Sequence, residues 1–319
     1  MMQKKLKVGI TGATGYLGTA LTRMFISKGH QVVALVRNSG ISEHNGQSNY
    51  CEVAGDINNF DALRDLVKQV DVMIHLAAYV GHGSAKDYHR VNVVGTEALC
   101  TAITRYNPRC KMINCSSIAT LRYPKWFPWV ATVYARTKAK ADKVVAKYQQ
   151  LHGLQATTVY PGLIFGPGDT KFVPKVIEAI QQGKLLRISG GEKNAPLIYI
   201  DDLCQLFYLA TTQKQAIGEH YIGVKPLAVG IHSFFDYLAI RVGKSLPTAR
   251  FPKWILLPLA IFLEAIFSNF NLKKSPPLTR RVVDILSINL TKNTEQANNS
   301  LGWMAKVDYI EGLDNYFES

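Results

Sequence analysis

Tyr134 and Lys138 stand four residues apart in a stretch, residues 134–148, that is rich in Ala and Lys and contains neither Gly nor Pro. A helix is expected there, and that spacing puts both side chains on one of its faces. A phenol is a poor acid or base near neutrality because its ordinary pKa is about 10. A neighbouring ammonium favours the phenolate and moves Tyr134 toward a useful acid–base range. The bare pair also arises by chance on helices. Ser116-Ser117 narrows the reading, because these serines close the short apolar stretch 111–115. That stretch reads as a strand, and parallel α/β sheets place their sites at the carboxyl ends of strands. A serine hydroxyl there would hold a substrate oxygen beside Tyr134.

A second group of residues is suited to phosphate. In Thr11-Gly12-Ala13-Thr14-Gly15-Tyr16-Leu17-Gly18 the glycines recur at intervals of three, directly after the apolar stretch 6–10 and at the start of the helical pattern Leu17, Leu21, Met24, Phe25. Gly12 suits a tight turn, Gly15 lets backbone approach a pyrophosphate, and Gly18 lets helix and strand pack closely. The helix start supplies free N–H groups and the positive end of the dipole to the phosphates. In this strand–turn–helix setting a dinucleotide is expected, with the rest of the loop, Thr14, Tyr16 and Leu17, against it. An oxidised nicotinamide would add its positive charge to that of Lys138 beside Tyr134.

The end of the second strand selects the dinucleotide. An acidic residue there would bind the ribose 2′-hydroxyl, but the sequence has Arg37, followed by Asn38 and Ser39. A guanidinium pairs with a 2′-phosphate and favours NADP(H); otherwise Arg37 is a solvated charge at a strand end. Asp56, followed by Ile57, either offers a carboxylate to the adenine amino group or caps the helix that follows.

These residues require a particular scaffold. Residues 6–10, 31–36, 72–77, 111–115 and 156–160 read as buried strands, alternating with helical patterns that include 61–67, 93–104 and 134–148. Such alternation means an α/β fold, a Rossmann-type doubly wound parallel sheet covered by helices on both faces. After Pro161 the alternation becomes irregular and Pro and Gly cluster at Gly166-Pro167-Gly168. We therefore expect residues 1–161 to form a dinucleotide-binding domain, with a returning segment near 196–224. In that segment 197–200 reads as a strand feeding a helix, 203–210. Residues 162–319 are expected to be mainly a smaller substrate-binding domain.

The chain has 319 residues with a formal charge of +14. The excess permits a phosphorylated cofactor, an acidic substrate, nucleic acid or a membrane surface. The basic residues are dispersed, without a nucleic-acid arm, so nucleic acid is not expected. Five cysteines without a Cys-x-x-Cys suggest neither a zinc knuckle nor a disulfide framework. No His/Asp/Glu cluster has metal-ligand spacing, and His75 lies in a strand pattern as a core or cofactor-shell residue. The apolar stretch 8–10 is too short for a signal peptide, so a cytoplasmic protein is expected. Residues 251–267 carry the run 254–263 without a charge, interrupted in its middle by Pro258. A spanning helix needs about 20 apolar residues. Three readings remain for it: an internal core helix, a cover over the substrate mouth, or a peripheral membrane or partner contact flanked by Lys253, Lys273 and Lys274.

Taken in order, Thr11-Gly12-x-x-Gly15-x-x-Gly18, Asp56-Ile57, His75-Leu76-Ala77-Ala78, Asn92-Val93-Val94-Gly95-Thr96, Ser116-Ser117, Tyr134-x-x-x-Lys138 and Tyr160-Pro161-Gly162-Leu163-Ile164-Phe165-Gly166-Pro167-Gly168-Asp169 resemble the extended short-chain dehydrogenases/reductases. Tyr88-His89, Pro276-Pro277-Leu278-Thr279-Arg280 and Leu301-Gly302-Trp303 extend the likeness over nearly the whole chain. They point to the 3β-hydroxysteroid dehydrogenase and dihydroflavonol 4-reductase branch, including bacterial 2-alkyl-3-oxoalkanoate reductases. The resemblance implies Tyr134 as acid–base and Lys138 on the nicotinamide ribose. It implies Ser117 as the residue polarising the substrate, with Ser116 as the competing choice and as a cofactor contact. Pro161, Gly162, Leu163 and Ile164 would lie against the carboxamide, and Ala77 and Ala78 against ribose and phosphates. Asn92 would tie neighbouring strands together.

Two departures matter. Sugar dehydratases of this superfamily carry acidic residues right after the serine, whereas here Ile118-Ala119-Thr120-Leu121 follows Ser117. Many relatives have a polar, acidic segment between serine and tyrosine, but here residues 121–129 are dominated by aromatics and prolines. They would line an apolar pocket or pack as a lid. The expectation is an NADP(H)-preferring oxidoreductase interconverting a secondary alcohol and a ketone on an apolar or acyl-type substrate, with a homodimer compatible. A nucleotide-sugar epimerase and a non-catalytic dinucleotide-binding regulator are the alternatives.

Overall fold

The computed structural model describes residues 5–40, 42–81, 83–121, 131–189, 192, 194–225, 229–269, 276, 278–287 and 294–319. The expectations for residues 122–129 and for Lys273, Lys274 and Pro277 lie outside them.

The apolar stretches become strands β1 (Lys7–Thr11), β2 (Gln31–Val36), β3 (Tyr50–Ala54), β4 (Val72–His75), β5 (Lys111–Cys115) and β6 (Ala156–Pro161). With β10 (His220–Gly223) they form a seven-stranded sheet in the order β10-β6-β5-β4-β1-β2-β3. All its ladders are parallel. Within β2, Val32, Ala34 and Val36 enter one apolar core while Val33 and Leu35 enter a second. A strand buried on both faces in this way must be covered by helices on both sides. On one side lie α1 (Tyr16–Ser27) and α7 (Ile200–Thr212); on the other α2 (Phe60–Val67), α4 (Gly95–Tyr106) and α5 (Val133–His152). The sheet is therefore the doubly wound one expected from the sequence.

Boundaries moved where tertiary contacts overrode local pattern. Strand β4 ends at His75 rather than continuing to Ala77. The helical pattern from Val93 begins as a π-turn, Arg90–Val94, that continues into α4 behind a short helix, α3 (Ala85–His89). Helix α5 runs to His152 and stops at Gly153, whose φ of +66° is the left-handed conformation that terminates helices.

Residues 197–200 do not join the central sheet. Leu197–Tyr199 (β9) pairs instead with Leu163–Phe165 (β7) in a separate two-stranded sheet, and only α7 and β10 return to the main one. A second pair joins β8 (Arg187–Ile188) to β11 (Arg250–Phe251). Helices α6 (Val173–Gln181), α8 (Ile231–Arg241), α9 (Lys253–Asn269), α10 (Arg280–Leu286), α11 (Gln296–Leu301) and α12 (Tyr309–Glu318) complete the described elements. The reading of 251–267 as an internal core helix is overturned, since among the described side chains of α9 only Leu256 and Ala260 are buried while Trp254 is 76% exposed. Among the described residues no helix is long and apolar enough to cross a membrane.

Candidate active site

Strand order reverses between β1 and β4, the point where an open parallel sheet leaves a crevice at its carboxyl edge. The register Thr11↔His75, His75↔Asn114 and Cys115↔Val159 aligns the ends of β1, β4, β5 and β6 along that edge.

The glycine loop lies at the end of β1. Gly12 has φ +75°, and a Cβ there would come within 2.9 Å of the Ala77 backbone nitrogen. At Gly18 a Cβ would stand 2.2 Å from the Gly12 carbonyl oxygen, so helix and loop pack with no room for a side chain. Gly15 is the N-cap of α1, without a side-chain cap and with no acidic residue in the first turn. The first-turn N–H groups, which have no partner inside a helix, are thus left for an anion. Thr14 and Gly15 are exposed, while the Leu17 side chain is buried in the apolar core. Tyr16 turns its ring toward Gly168, and its hydroxyl has no hydrogen-bond partner. This cradle, bare of side chains and lined by free donors, fits a pyrophosphate.

Ala77 and Ala78 follow β4 beside that cradle, and the Ala77 N–H donates to Thr11 Oγ1 at 3.3 Å. Arg37 is exposed one residue beyond β2, with no acidic partner among the described residues. Asp56 is not a helix cap. Its carboxylate accepts from the Asn58 N–H at 2.7 Å, and Asn59 caps α2 by accepting from the Ala62 N–H at 3.1 Å. Ile57 is buried against Gly95.

The two serines separate clearly. Ser116 is 3% exposed and its hydroxyl donates to Asp142 Oδ2 at 2.7 Å, so it is committed to α5. Ser117 is partly exposed, accepts from the Ala119 N–H at 3.2 Å and interacts with the Tyr134 hydroxyl. Helix α5 starts just before Tyr134, where the Thr132 hydroxyl accepts from the Ala135 N–H. Lys138 is buried, and its Nζ donates to the Cys115 carbonyl at 2.7 Å. Further along the edge, Pro161 ends β6. A Cβ on Gly162 would meet the Pro196 carbonyl oxygen at 2.2 Å, and Leu163 and Ile164 are partly exposed.

The expectation that Tyr134 is shifted toward phenolate by its surroundings fails for the protein alone. Burial pushes its phenol up to about 12, and the interactions with Ser117 and with the Arg281 charge only partly oppose this. A buried phenol held neutral is set up to donate a proton.

Sequence reasoning missed Asp142. It accepts from Ser116 and, at 3.3 Å, from Asn114 Nδ2. Burial raises its carboxyl, against hydrogen bonds and the Lys138 charge. Its signal was available, since Tyr134, Lys138 and Asp142 continue one spacing of four. Missed too was a chain of bonds through His75. Thr11 Oγ1 lies 2.8 Å from His75 Nδ1, and His75 Nε2 lies 2.9 Å from Thr96 Oγ1. Thr96 donates to the Asn92 carbonyl, so Nε2 must carry the imidazole proton and Nδ1 must accept from Thr11. Burial drives the His75 pKa down to about 3 and keeps the ring neutral. Asn92 does not bridge strands. It accepts from the Tyr79 N–H at 2.7 Å and donates to Thr137 Oγ1 at 3.0 Å, joining the segment after β4 to the helix of Tyr134 and Lys138.

The model of the NAD-dependent epimerase/dehydratase family matches residues 8–222. The chain is 26% identical to a 4-hydroxy-2-methyl-3-oxo-4-farnesyl-3,4-dihydroquinoline-1-oxide ketoreductase of Stigmatella aurantiaca, over 97% of this chain and 95% of that protein. It is also 26% identical to a 2-alkyl-3-oxoalkanoate reductase of Stenotrophomonas maltophilia, covering 97% of each chain. Among solved structures, UDP-glucuronic acid 4-epimerase from Bacillus cereus in complex with NAD superposes with a TM-score of 0.73 at 19% identity. That match covers 98% of this chain and 97% of the other, and it shows a shared fold.

Proposed function

This chain belongs to the NAD-dependent epimerase/dehydratase family, and on that premise we propose that it is an oxidoreductase interconverting a secondary alcohol and a ketone on an apolar or acyl-type substrate. In this reading residues 1–161 bind the cofactor and 162–319 mainly the substrate. The nicotinamide, when bound, supplies the hydride. Gly12, Gly15 and Gly18 hold the pyrophosphate; Asp56 and Ile57 border the adenine, and Pro161 to Ile164 the carboxamide. Arg37 takes a 2′-phosphate, so NADP(H) is preferred. Ser117 donates a hydrogen bond to the substrate oxygen and Tyr134 transfers its proton to that oxygen in the direction of reduction. Lys138, with donors left beyond its bond to Cys115, holds the ribose and electrostatically supports the phenolate that forms.

The observation that carries the reading is the convergence of Ser117, Tyr134 and Lys138 at the carboxyl edge, with Ser116 withdrawn toward Asp142. The 3₁₀ turn Ile118–Leu121 after Ser117 holds no acid, which favours carbonyl reduction over elimination from a sugar. The names of the two reductase relatives support an apolar or acyl-type ketone. The finer parts of the proposal are a cytoplasmic location and a peripheral membrane contact through residues 251–267.

Tyr134→Phe tests the reading. Removing one hydroxyl leaves the helix and cofactor cradle in place, so NADPH binding should persist. Turnover of a 3-oxoacyl or steroid ketone should fall about 10²–10⁴-fold. A variant that reduces such a ketone at the parental rate would overturn the assignment.

A further inference from the structure

Helix α9 presents an outward face on which every exposed side chain among the described residues is apolar. Trp254 is 76% exposed and Phe262 62%, with Ile255, Leu259 and Ile261 between them. Pro258 and Ala265 complete the face, which extends over about three turns. Phe251 before the helix and Val282 on α10, which packs against α9, are exposed as well. On the other described elements exposed large apolar side chains stand singly, as they do on ordinary surfaces.

We infer that this face docks onto an anionic lipid bilayer, with α9 lying in the plane of the headgroups and Trp254 and Phe262 immersed. The inference rests on the peripheral contact proposed above, and it specifies the face and the lipid chemistry. Length and shape exclude crossing, because α9 has 17 residues and contains Pro258, while a span needs about 20. Charge chooses between a bilayer and a second copy of the chain. At a formal +14 two copies repel each other, and an anionic surface attracts each of them. The local sequence has the same bias. From Ala265 to Val283 it holds Lys273, Lys274, Arg280 and Arg281 and no acidic residue. The acids around α9 are already engaged: Glu264 with Arg280 at 2.6 Å, and Asp284 beside Lys253 at 4.0 Å. Arg281 has no acidic partner among the described residues. In sequence this apolar face is thus followed by cations, the pattern that binds anionic interfaces. Docking here also brings the site to the lipid, since α10 packs on α9 and the Arg281 charge reaches Tyr134.

The test is co-sedimentation of the full chain with vesicles of phosphatidylcholine alone and of phosphatidylcholine mixed with phosphatidylglycerol, at low and high salt. Binding to the mixed vesicles should exceed binding to the neutral ones about tenfold or more and weaken with salt. Phe262→Asp and Trp254→Asp should each lower it about tenfold, and Phe262→Leu should retain it. Both positions are exposed, so circular dichroism and NADPH binding should match the parent. Equal binding to both vesicle types would overturn the anionic docking and leave the peripheral contact standing. Absence of binding to either type would overturn both. Vesicle binding unaffected by the aspartates, or a dimer in sedimentation velocity that they dissolve while vesicles remain unbound, would overturn the assignment of this face.

Discussion

Replacing Arg37 with alanine addresses the choice of cofactor. The guanidinium stands one residue past β2, where Gly55 N–H bonds the Val36 carbonyl at 2.8 Å and fixes the end of the strand. A charge-assisted hydrogen bond contributes about 1.5–3 kcal/mol. Arg37 is exposed, and solvent screening puts it at the low end of that range, about 1.5 kcal/mol. At about 1.4 kcal/mol per decade, the expected preference of the parent for NADPH over NADH is roughly tenfold in Kd. In Arg37→Ala that ratio should approach unity through weaker NADPH binding, with NADH affinity unchanged. Because the interaction is exposed, the preference should also shrink with added salt. Titration of reduced-nicotinamide fluorescence reads all three quantities. Equal affinities in the parent, or an unchanged ratio in Arg37→Ala, would refute the argument and leave Arg37 as a solvated charge.

The glycine loop predicts a contrast between two substitutions. Gly18→Ala forces a Cβ to 2.2 Å from the Gly12 carbonyl and 2.7 Å from Ala13 Cα, so overpacking should cost about 1–3 kcal/mol and cofactor binding should be lost. At Gly29, φ is +81° with nothing within 4 Å, so alanine should cost only backbone strain, about 1 kcal/mol, and isothermal titration should find binding intact. His75 is held neutral with a pKa near 3, below its unfolded value of 6.5. Its stabilising effect is therefore complete above pH 6.5 and is lost as pH falls from there toward 3. In that window the parent should lose up to about 1.4 kcal/mol per pH unit more than His75→Gln in denaturant titrations, and parallel curves would contradict the burial argument. Asp142→Asn removes the charge that Ser116 and Asn114 bond and that faces Lys138. Because burial costs that carboxylate more than those partners return, the midpoint of urea unfolding at neutral pH should hold or rise at an unchanged slope, and a fall equivalent to about 1.5 kcal/mol or more would contradict the desolvation argument.

How the chain folds around its cofactor loop was legible because the relevant signals are local. The spacing of glycines, the apolar stretches of strand length and the Tyr134–Lys138 interval each reflect backbone geometry over a few residues. They were enough to anticipate a doubly wound parallel sheet. Arg37 and the paired serines were visible as residue types for the same reason.

What only the tertiary structure decided depends on burial and on contacts between distant segments. Ser116 and Ser117 are neighbours in sequence, and only the approach of Asp142 from α5 ties one hydroxyl into the scaffold and leaves the other to meet Tyr134. Local pattern predicted a strand at 197–200 but could not say that its partner is Leu163–Phe165 rather than the main sheet, because pairing is a long-range choice. Neighbouring charge suggested a lowered phenol pKa for Tyr134, whereas desolvation, which sequence does not display, raises it. For α9, an all-apolar run reads alike whether it lies inside a core or on a surface. Packing decided that one side meets α10 and the other meets solvent, because the fold offers buried space to only one face of that helix.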